Sequence, residues 1–243
     1  QGISPITEKQ VCQLTLAHGQ TIQCSKDHKF FTHTIDPVHY TNLKPTKFRS
    51  FEPEVLTFEQ IERRLSKGWD VYVDCPLRQN NQTDNPEYTN GQLYLAGLIF
   101  TDGSVSNKKK NADGFWVYQS DIALLESLDD CGVTTKIVGP HKNSYQRSVR
   151  SSLIGSARRL FLSENNEKQL NKTLLSTLSY TQWCSFLAGL LDGDGTNSSP
   201  GQVILCNFDG SLETIQELCA WNGMWTSVGT DTTRLKFVEY RWD

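Results

Sequence analysis

Hydrophobic and polar positions change their period several times along the chain, and each change predicts an element. "QVCQLTLAHGQTIQC" (10–24) alternates apolar and polar residues around His18-Gly19, a pattern that predicts two strands joined as a hairpin. "TFEQIERRLSKGWDVYV" (57–73) predicts a helix with Leu56, Ile61 and Leu65 on its apolar side, a stop near Gly68, and a strand beyond. "PLRQNNQTDNPEYTNGQ" (76–92) loses both periods and is rich in Asn, Gln and Pro; it predicts a linker over 77–91. The segment 1–76 before it reads as mostly short strands and turns.

From 92 to 243 one pattern is written twice. An apolar helix ending in Asp-Gly leads to "GFWVYQSD", a helix "IALLESLDDCG", and strands "VTTKIVGP" and "YQRSVRSS". A second apolar helix ending in Asp-Gly leads to "GQVILCNFDG", a helix "SLETIQELCAWNG", and strands "WTSVGT" and "TRLKFVEYRW". The expected boundaries are 92–155 for the first copy, 156–182 for connecting helices, and 183–243 for the second. Asp121 and Asp209 open the second helix of each copy and read as N-caps. The fold class expected is α+β: two pseudo-symmetric αββαββ repeats after a mostly β segment.

Charge changes this picture locally. The chain of 243 residues has a formal net charge of −3, which by itself announces no polyanion partner. Between 104 and 172, however, eleven Lys and Arg residues face seven acids, whereas acids predominate after 196. The seven cysteines are scattered and lack a CxxC pair, a usage that speaks against a zinc site or disulfide framework and for reduced, mostly buried thiols. No apolar run reaches membrane-spanning length and no signal-peptide pattern opens the chain, so the expected location is cytoplasmic.

The chemistry concentrates where the two apolar helices stop, in "LAGLIFTDG" (95–103) and "LAGLLDGDG" (187–195). Gly97 and Gly189 interrupt helices at matched positions, at a cost of about 1 kcal/mol each relative to alanine, so close approach of two backbones is the expected compensation. Packed side by side and parallel, the helices bring Asp102 and Asp194 to one place, and Gly103 and Gly195 are expected to end them in the left-handed conformation. Carboxylates at helix C-termini sit against the macrodipole, and two together repel. A hard divalent cation relieves both effects with carboxylate and main-chain oxygens, the set being Asp102, Asp194, Thr101 and Gly193, and magnesium the expected ion. Either Asp-Gly alone is better read as a helix-closing turn; its recurrence about 92 residues on favours a paired site. Asp192 has Phe100 as its counterpart and is assigned to local structure.

The two segments resemble the paired signature of the LAGLIDADG homing endonucleases, and the repeat covers nearly all of 92–243. The resemblance implies motif helices at the centre, two saddle-shaped antiparallel sheets in the major groove of double-stranded DNA, and Asp102 and Asp194 as catalytic acids for a double-strand break. It implies a monomer with an internal pseudo-two-fold, and it places Lys172 as the lysine that precedes the second motif in intein-borne members. Candidate DNA contacts are Lys108, Lys109 and Lys110 in the loop after the first motif, and Lys136, Arg147, Arg150, Arg234 and Lys236 on predicted strands. An exposed, solvated face is the competing reading for each, as it is for Tyr118 and Gln119.

In 1–76, "GQTIQCSKDHKFF" is similar to the Hint-fold intein block in which a Thr-x-x-His activates the upstream splice junction. His28 matches the histidine and Ser25 stands for the threonine. Inteins open with Cys or Ser and close in His-Asn, neither of which frames this sequence. The expectation is therefore a split or partial Hint segment that does not splice alone, with complementary intein fragments as further partners. Two other readings stay open: a splicing fragment with a decayed nuclease, and a maturase-like nucleic-acid binder that does not cleave.

Overall fold

The computed structural model describes residues 10–16, 21–36, 40–41, 44–45, 49–50, 52–73, 83–105, 114–141, 143–165, 167–199, 202–206, 211–224, 226–228 and 234–237. The chain divides into two compact units, Gln1–Pro76 and Leu77–Asp243.

In the first unit, β1 (Val11–Thr15) and β2 (Thr21–Ser25) pair antiparallel as an isolated ribbon. The alternation seen in the sequence turns Leu14 and Cys24 inward, and residues 17–20, where the hairpin turn is expected, lie outside the described residues. β3 (Lys29–Asp36) is followed by the short β4 (Tyr40–Thr41), β5 (Lys44–Pro45) and β6 (Arg49–Ser50), then by β7 (Glu54–Thr57). α1 (Phe58–Leu65) opens with a reciprocal capping box between Thr57 and Gln60, and β8 (Asp70–Val73) follows it. β6, β7 and β8 all pair antiparallel with β3. The small core is Leu14, Cys24, Phe30, Leu56 and Ile61. Leu65, expected on the buried side of α1, is half exposed at the last residue of this two-turn helix, whereas Ile61 one turn earlier is buried.

The second unit begins inside the expected linker. The backbone N–H of Asn85 donates to Gln182 Oε1 at 2.9 Å, and Gln182 Nε2 returns bonds to the Asn85 and Tyr88 carbonyls at 2.9 and 3.0 Å. Tyr88 is buried in the main core, so 83–89 is part of the folded body, whereas 77–82 lies outside the described residues.

α2 (Asn90–Asp102) runs straight into β9 (Gly103–Val105), followed by β10 (Gly114–Gln119), α3 (Ile122–Ser127) capped by Asp121, a 3-10 turn over 128–131, β11 (Ile137–His141) and β12 (Ser144–Arg150). Short helical segments connect the halves: α4 (Ser151–Ile154), a 3-10 stretch over 155–160, and α5 (Lys172–Leu175). α6 (Tyr180–Asp194) then runs into β13 (Gly195–Ser199), followed by β14 (Gln202–Cys206), α7 (Leu212–Trp221), β15 (Thr226–Val228) and β16 (Arg234–Phe237). Both sheets are antiparallel, with orders β11-β12-β10-β9 and β13-β14-β16-β15. Starting from the strand that leaves the long helix, each order is first, second, fourth, third.

α2 and α6 form the centre of the core. Leu93, Leu95, Ala96, Gly97, Leu98, Ile99 and Phe100 are all buried on α2, so this helix is enclosed on every side rather than along one stripe. Both helices start with a capping box, Thr89 with Gln92 and Ser179 with Gln182. Gly97 and Gly189 set their separation: a Cβ at Gly97 would land on the Phe186 carbonyl oxygen, and one at Gly189 on the Tyr94 carbonyl oxygen. Gly97 meets Leu190 and Gly193 meets Thr101, so contacts advance in the same direction along both chains and the helices are parallel.

Candidate active site at the paired helix ends

Parallel packing at glycine separation brings the C-terminal turns of α2 and α6 together, and each ends in an aspartate, Asp102 and Asp194. Both side chains are half-buried. Burial pushes the Asp102 carboxyl up to about 7, the Asp194 carboxylate adds to the rise, and Lys168 and the Gln119 amide oppose it. Asp194 is also raised by burial, with Lys168 again opposing. The two acids are therefore close enough to repel, in a place where neither is fully hydrated and where the helix dipoles add partial negative charge.

Gly103 and Gly195 do not end the helices in the left-handed conformation that the sequence suggests. Their φ values are −91° and −77°, extended, because each residue already begins a strand. What demands glycine is space: a Cβ at Gly103 would lie 2.7 Å from Ile99 Cα, and one at Gly195 would collide with the Leu191 carbonyl. The helix-to-strand turn thus has no room for a side chain, and the aspartate before it is held at the rim.

Two residues not assigned to the site by sequence reasoning reach it. Gln119 Nε2 donates to Asp102 Oδ2, and lies 3.4 Å from the Asp192 carbonyl oxygen of the other helix. Gln119 shares its strand face with the buried Phe115 and Val117, which aims it inward from the end of β10; that alternation was the signal available. Lys168 Nζ donates to the Thr101 carbonyl at 3.1 Å. Burial lowers the Lys168 ammonium below the usual lysine range, while Asp102 and Asp194 pull it back up. Lys168 lies in an irregular stretch tied to Leu162 by a single bridge, where no periodicity marks it.

Lys172, the expected catalytic lysine, is elsewhere. It forms an ion pair with Glu217 at 2.5 Å and stands 5.8 Å from the ring centre of Trp221. A lysine at the first turn of α5 faces α7, and a few residues earlier the chain presents Lys168 to the acids instead. Asp192 accepts a hydrogen bond from Tyr94 Oη at 2.8 Å, which pins one motif helix to the other. Burial, and after it this bond, raises the Tyr94 hydroxyl above the usual tyrosine range. Thr101 and Gly193 face each other at the same level, the side chain of Thr101 filling the space that Gly193 leaves.

Among the expected DNA contacts, Arg147 is overturned. It is 4% exposed, and its guanidinium is consumed by the Leu125, Val133 and Thr135 carbonyls at 2.5, 2.6 and 3.0 Å and by Asp129 at 2.5 Å. Arg147 and Arg150 are three residues apart on one strand and so point to opposite faces; Arg147 shares the inner face with Val149, and Arg150 is exposed. Lys136 is exposed too. Lys108, Lys109 and Lys110 lie outside the described residues, and Arg234 and Lys236 are described as the backbone of β16, paired with Cys206 and Ile204.

In the first unit Ser25 ends β2, and His28 lies in the turn before β3 rather than on a strand. The His28 N–H donates to the Ser25 carbonyl at 3.0 Å, and the exposed ring meets Phe30 edge-on at 4.7 Å.

Among the described residues no group of three or more His, Cys, Asp and Glu converges. A divalent cation fits the chemistry at Asp102 and Asp194 nonetheless, since two crowded carboxylates face one ammonium and one amide, and main-chain oxygen, phosphate and water complete such a shell. No helix among the described residues is long and apolar enough to cross a membrane.

No protein-family model matches the chain, and no curated protein does. Among solved structures it is similar to a single-substitution variant of I-DmoI in complex with its target DNA in the presence of manganese: 16% identity and a TM-score of 0.43, over 62% of this chain and 87% of that one. The homing endonuclease I-WcaI bound to its DNA recognition sequence gives 13% identity and a TM-score of 0.45, over 63% of this chain and 77% of that one. The meganuclease I-SmaMI, bound to an uncleaved DNA target in the presence of calcium ions, gives 14% and 0.36, over 60% and 78%.

Proposed function

We propose that the 77–243 unit is a site-specific, divalent-metal-dependent DNA endonuclease of the LAGLIDADG type, with its two halves related by a pseudo-two-fold axis between α2 and α6. One observation carries the reading: two helices packed at glycine separation deliver Asp102 and Asp194 to one half-buried place where their charges repel. Burial that raises both acids weakens the fold unless a cation is the intended occupant.

Asp102 and Asp194 would hold the ion, magnesium being the natural choice, with main-chain oxygens at Thr101 and Gly193 beside them. When bound, it supplies Lewis acidity at a phosphodiester. The chain's own residues do the remainder. Gln119 fixes the rotation of the Asp102 carboxylate, and Lys168 brings a positive charge to the α2 terminus, where negative charge develops on the scissile phosphate. One chain supplies both acids, so a monomer suffices for two strands. Exposed Lys136 and Arg150, together with Lys108, Lys109 and Lys110, provide phosphate contacts, which make binding fall steeply with salt. The 1–76 unit is read as intein-derived on the "GQTIQCSKDHKFF" motif, with Ser25 and His28 as its splicing-like pair.

The test is selection of cleaved sites from a random DNA pool with magnesium, comparing the parent with Asp102→Asn and Asp194→Asn. Either substitution is expected to abolish double-strand cleavage and leave DNA binding measurable. Full cutting by both variants overturns the assignment.

A further inference from the structure

Independently of the nuclease reading, the β1–β2 ribbon places two thiols opposite one another. Cys12 and Cys24 are directly paired in the antiparallel register, between Val11↔Ser25 and Gln13↔Gln23. Directly opposed residues project from the same face, here the face that carries Leu14 into the small core. Their Cα atoms in such a pair are about 4.5 or 5.5 Å apart, according to the hydrogen-bonding position, and both values fall within the range a disulfide spans. The thiols also sense each other: burial raises the Cys24 thiol, and Cys12 raises it further.

The two differ in access. Cys24 is buried and Cys12 is half-exposed, so an oxidant meets Cys12 first. The ribbon is a two-strand sheet with no third strand among the described residues, an arrangement of marginal stability in which a covalent cross-link matters most.

We propose that Cys12 and Cys24 are a reversible dithiol–disulfide pair that closes the β1–β2 ribbon in response to low-molecular-weight disulfides such as oxidised glutathione. The Cys12 thiolate attacks one sulfur of the glutathione disulfide, forming a mixed disulfide and releasing one glutathione thiolate. The Cys24 thiolate then attacks the Cys12 sulfur, forming the Cys12–Cys24 bond and expelling the second glutathione. The two protons from the protein thiols end on the two glutathione molecules, so two protein thiols are oxidised and one glutathione disulfide is reduced. Cross-linking restricts fraying of the ribbon and of the core side that Leu14 and Cys24 cover.

The experiment uses the intact chain in buffers of decreasing ratio of reduced to oxidised glutathione, quenched by acid, unfolded, alkylated and digested with trypsin. Residues 10–26 form one tryptic peptide that contains both cysteines. The expected result is that this peptide loses both alkyl groups together and is lighter than the reduced form by two hydrogens. Amides of 11–15 and 21–25 then exchange more slowly, and reductant reverses both changes. In Cys24→Ser the expected product is a glutathione adduct trapped on Cys12, and in Cys12→Ser the buried Cys24 stays unmodified over the same interval. Double alkylation of 10–26 throughout the titration overturns the proposal, as does cross-linking of either cysteine to a different one. The wild-type mapping decides the matter even where a serine variant folds poorly.

Discussion

The chain treats two sets of carboxylates in opposite ways. In the first unit, Glu54 on β7 meets Arg64 on α1: both carboxylate oxygens accept from the guanidinium, Nη2 to Oε2 at 2.7 Å, and Thr34 shares the cluster, with Arg64 Nη1 2.5 Å from its hydroxyl oxygen. Hydrogen bonds from Arg64 hold the Glu54 pKa below the usual range against the effect of burial. In the second unit, Asp102 and Asp194 stand at the wrong ends of their helices, close enough to repel, and their pKa values rise although Lys168 opposes the rise at both. Glu54 is a charge balanced by the protein itself, whereas the aspartates are left short of positive charge. An imbalance of this kind, set at the paired helix ends by matched glycines, supports the proposed role of a cation there.

The sharpest way to break this contrast is charge removal. Asp102→Asn and Asp194→Asn are expected to cut cleavage by roughly a thousandfold or more, since ion-held stabilisation of several kcal/mol is lost with either ligand. In metal-free buffer the same changes are expected to raise the denaturation midpoint of the second unit, because repulsion disappears. Glu54→Gln is expected to do the reverse: no effect on cleavage and a lower stability. A loss of stability in Asp102→Asn would show that the pair is balanced after all. Next in size is Gly189→Ala. Its Cβ would overlap the Tyr94 carbonyl oxygen, so the helices must part, at a cost of roughly 3 kcal/mol measured by urea denaturation.

Much of this was legible in the sequence for a physical reason: a twice-written pattern constrains itself. The matched positions of Gly97 and Gly189 announce close helix packing, and the meeting of Asp102 and Asp194 follows from it. Positions outside the repeat carry no such check. Lys168 approaches the acids from a connecting segment that has no second copy, and Lys172, the lysine that the sequence resemblance singles out, is spent on Glu217. Arg147 differs in kind, since a positive charge on a strand does not require exposure; strand parity sets it apart from Arg150, and four carbonyl and carboxylate partners account for its burial. Gly103 and Gly195 were expected to adopt a left-handed turn because helices commonly end that way. The structure instead uses glycine to pass from helix to strand without an intervening residue.

The two lysines sharpen the comparison at the helix ends. Lys168→Met is expected to lower cleavage on the order of 10- to 100-fold, the usual cost of losing a group that supports a metal site from behind its ligands. Lys172→Met removes a half-exposed ion pair and is expected to leave cleavage unchanged, with a stability loss below about 1 kcal/mol. Equal losses of cleavage in both variants would mean that the lysine charge acts through the general field of the surface rather than at the carboxylates. Gln119→Ala separates orientation from charge. The Asp102 carboxylate is expected to lose its donor while keeping its neighbours, so cleavage falls but responds to higher magnesium, whereas Asp102→Asn does not.

The smallest effect lies in the first unit and concerns acid. Glu54 has a folded-state pKa below its unfolded value, so protons bind the unfolded chain more readily in the interval between the two. The contribution of the Glu54–Arg64 pair is therefore fully present above the unfolded glutamate pKa, about 4.3, and declines as pH falls through the depressed folded value. Both side chains keep some solvent contact, 32% for Glu54 and 21% for Arg64, which limits the effect to about 1 kcal/mol. Hydrogen exchange of the α1 amides is the suitable measurement, because it reads this unit without interference from the other. Protection in the parent is expected to fall below the unfolded glutamate pKa more steeply than in Glu54→Gln, which lacks the titrating group. Curves of the same shape would show that Arg64 finds another acceptor when Glu54 is protonated, and that the corner between β7 and α1 does not depend on this charge pair.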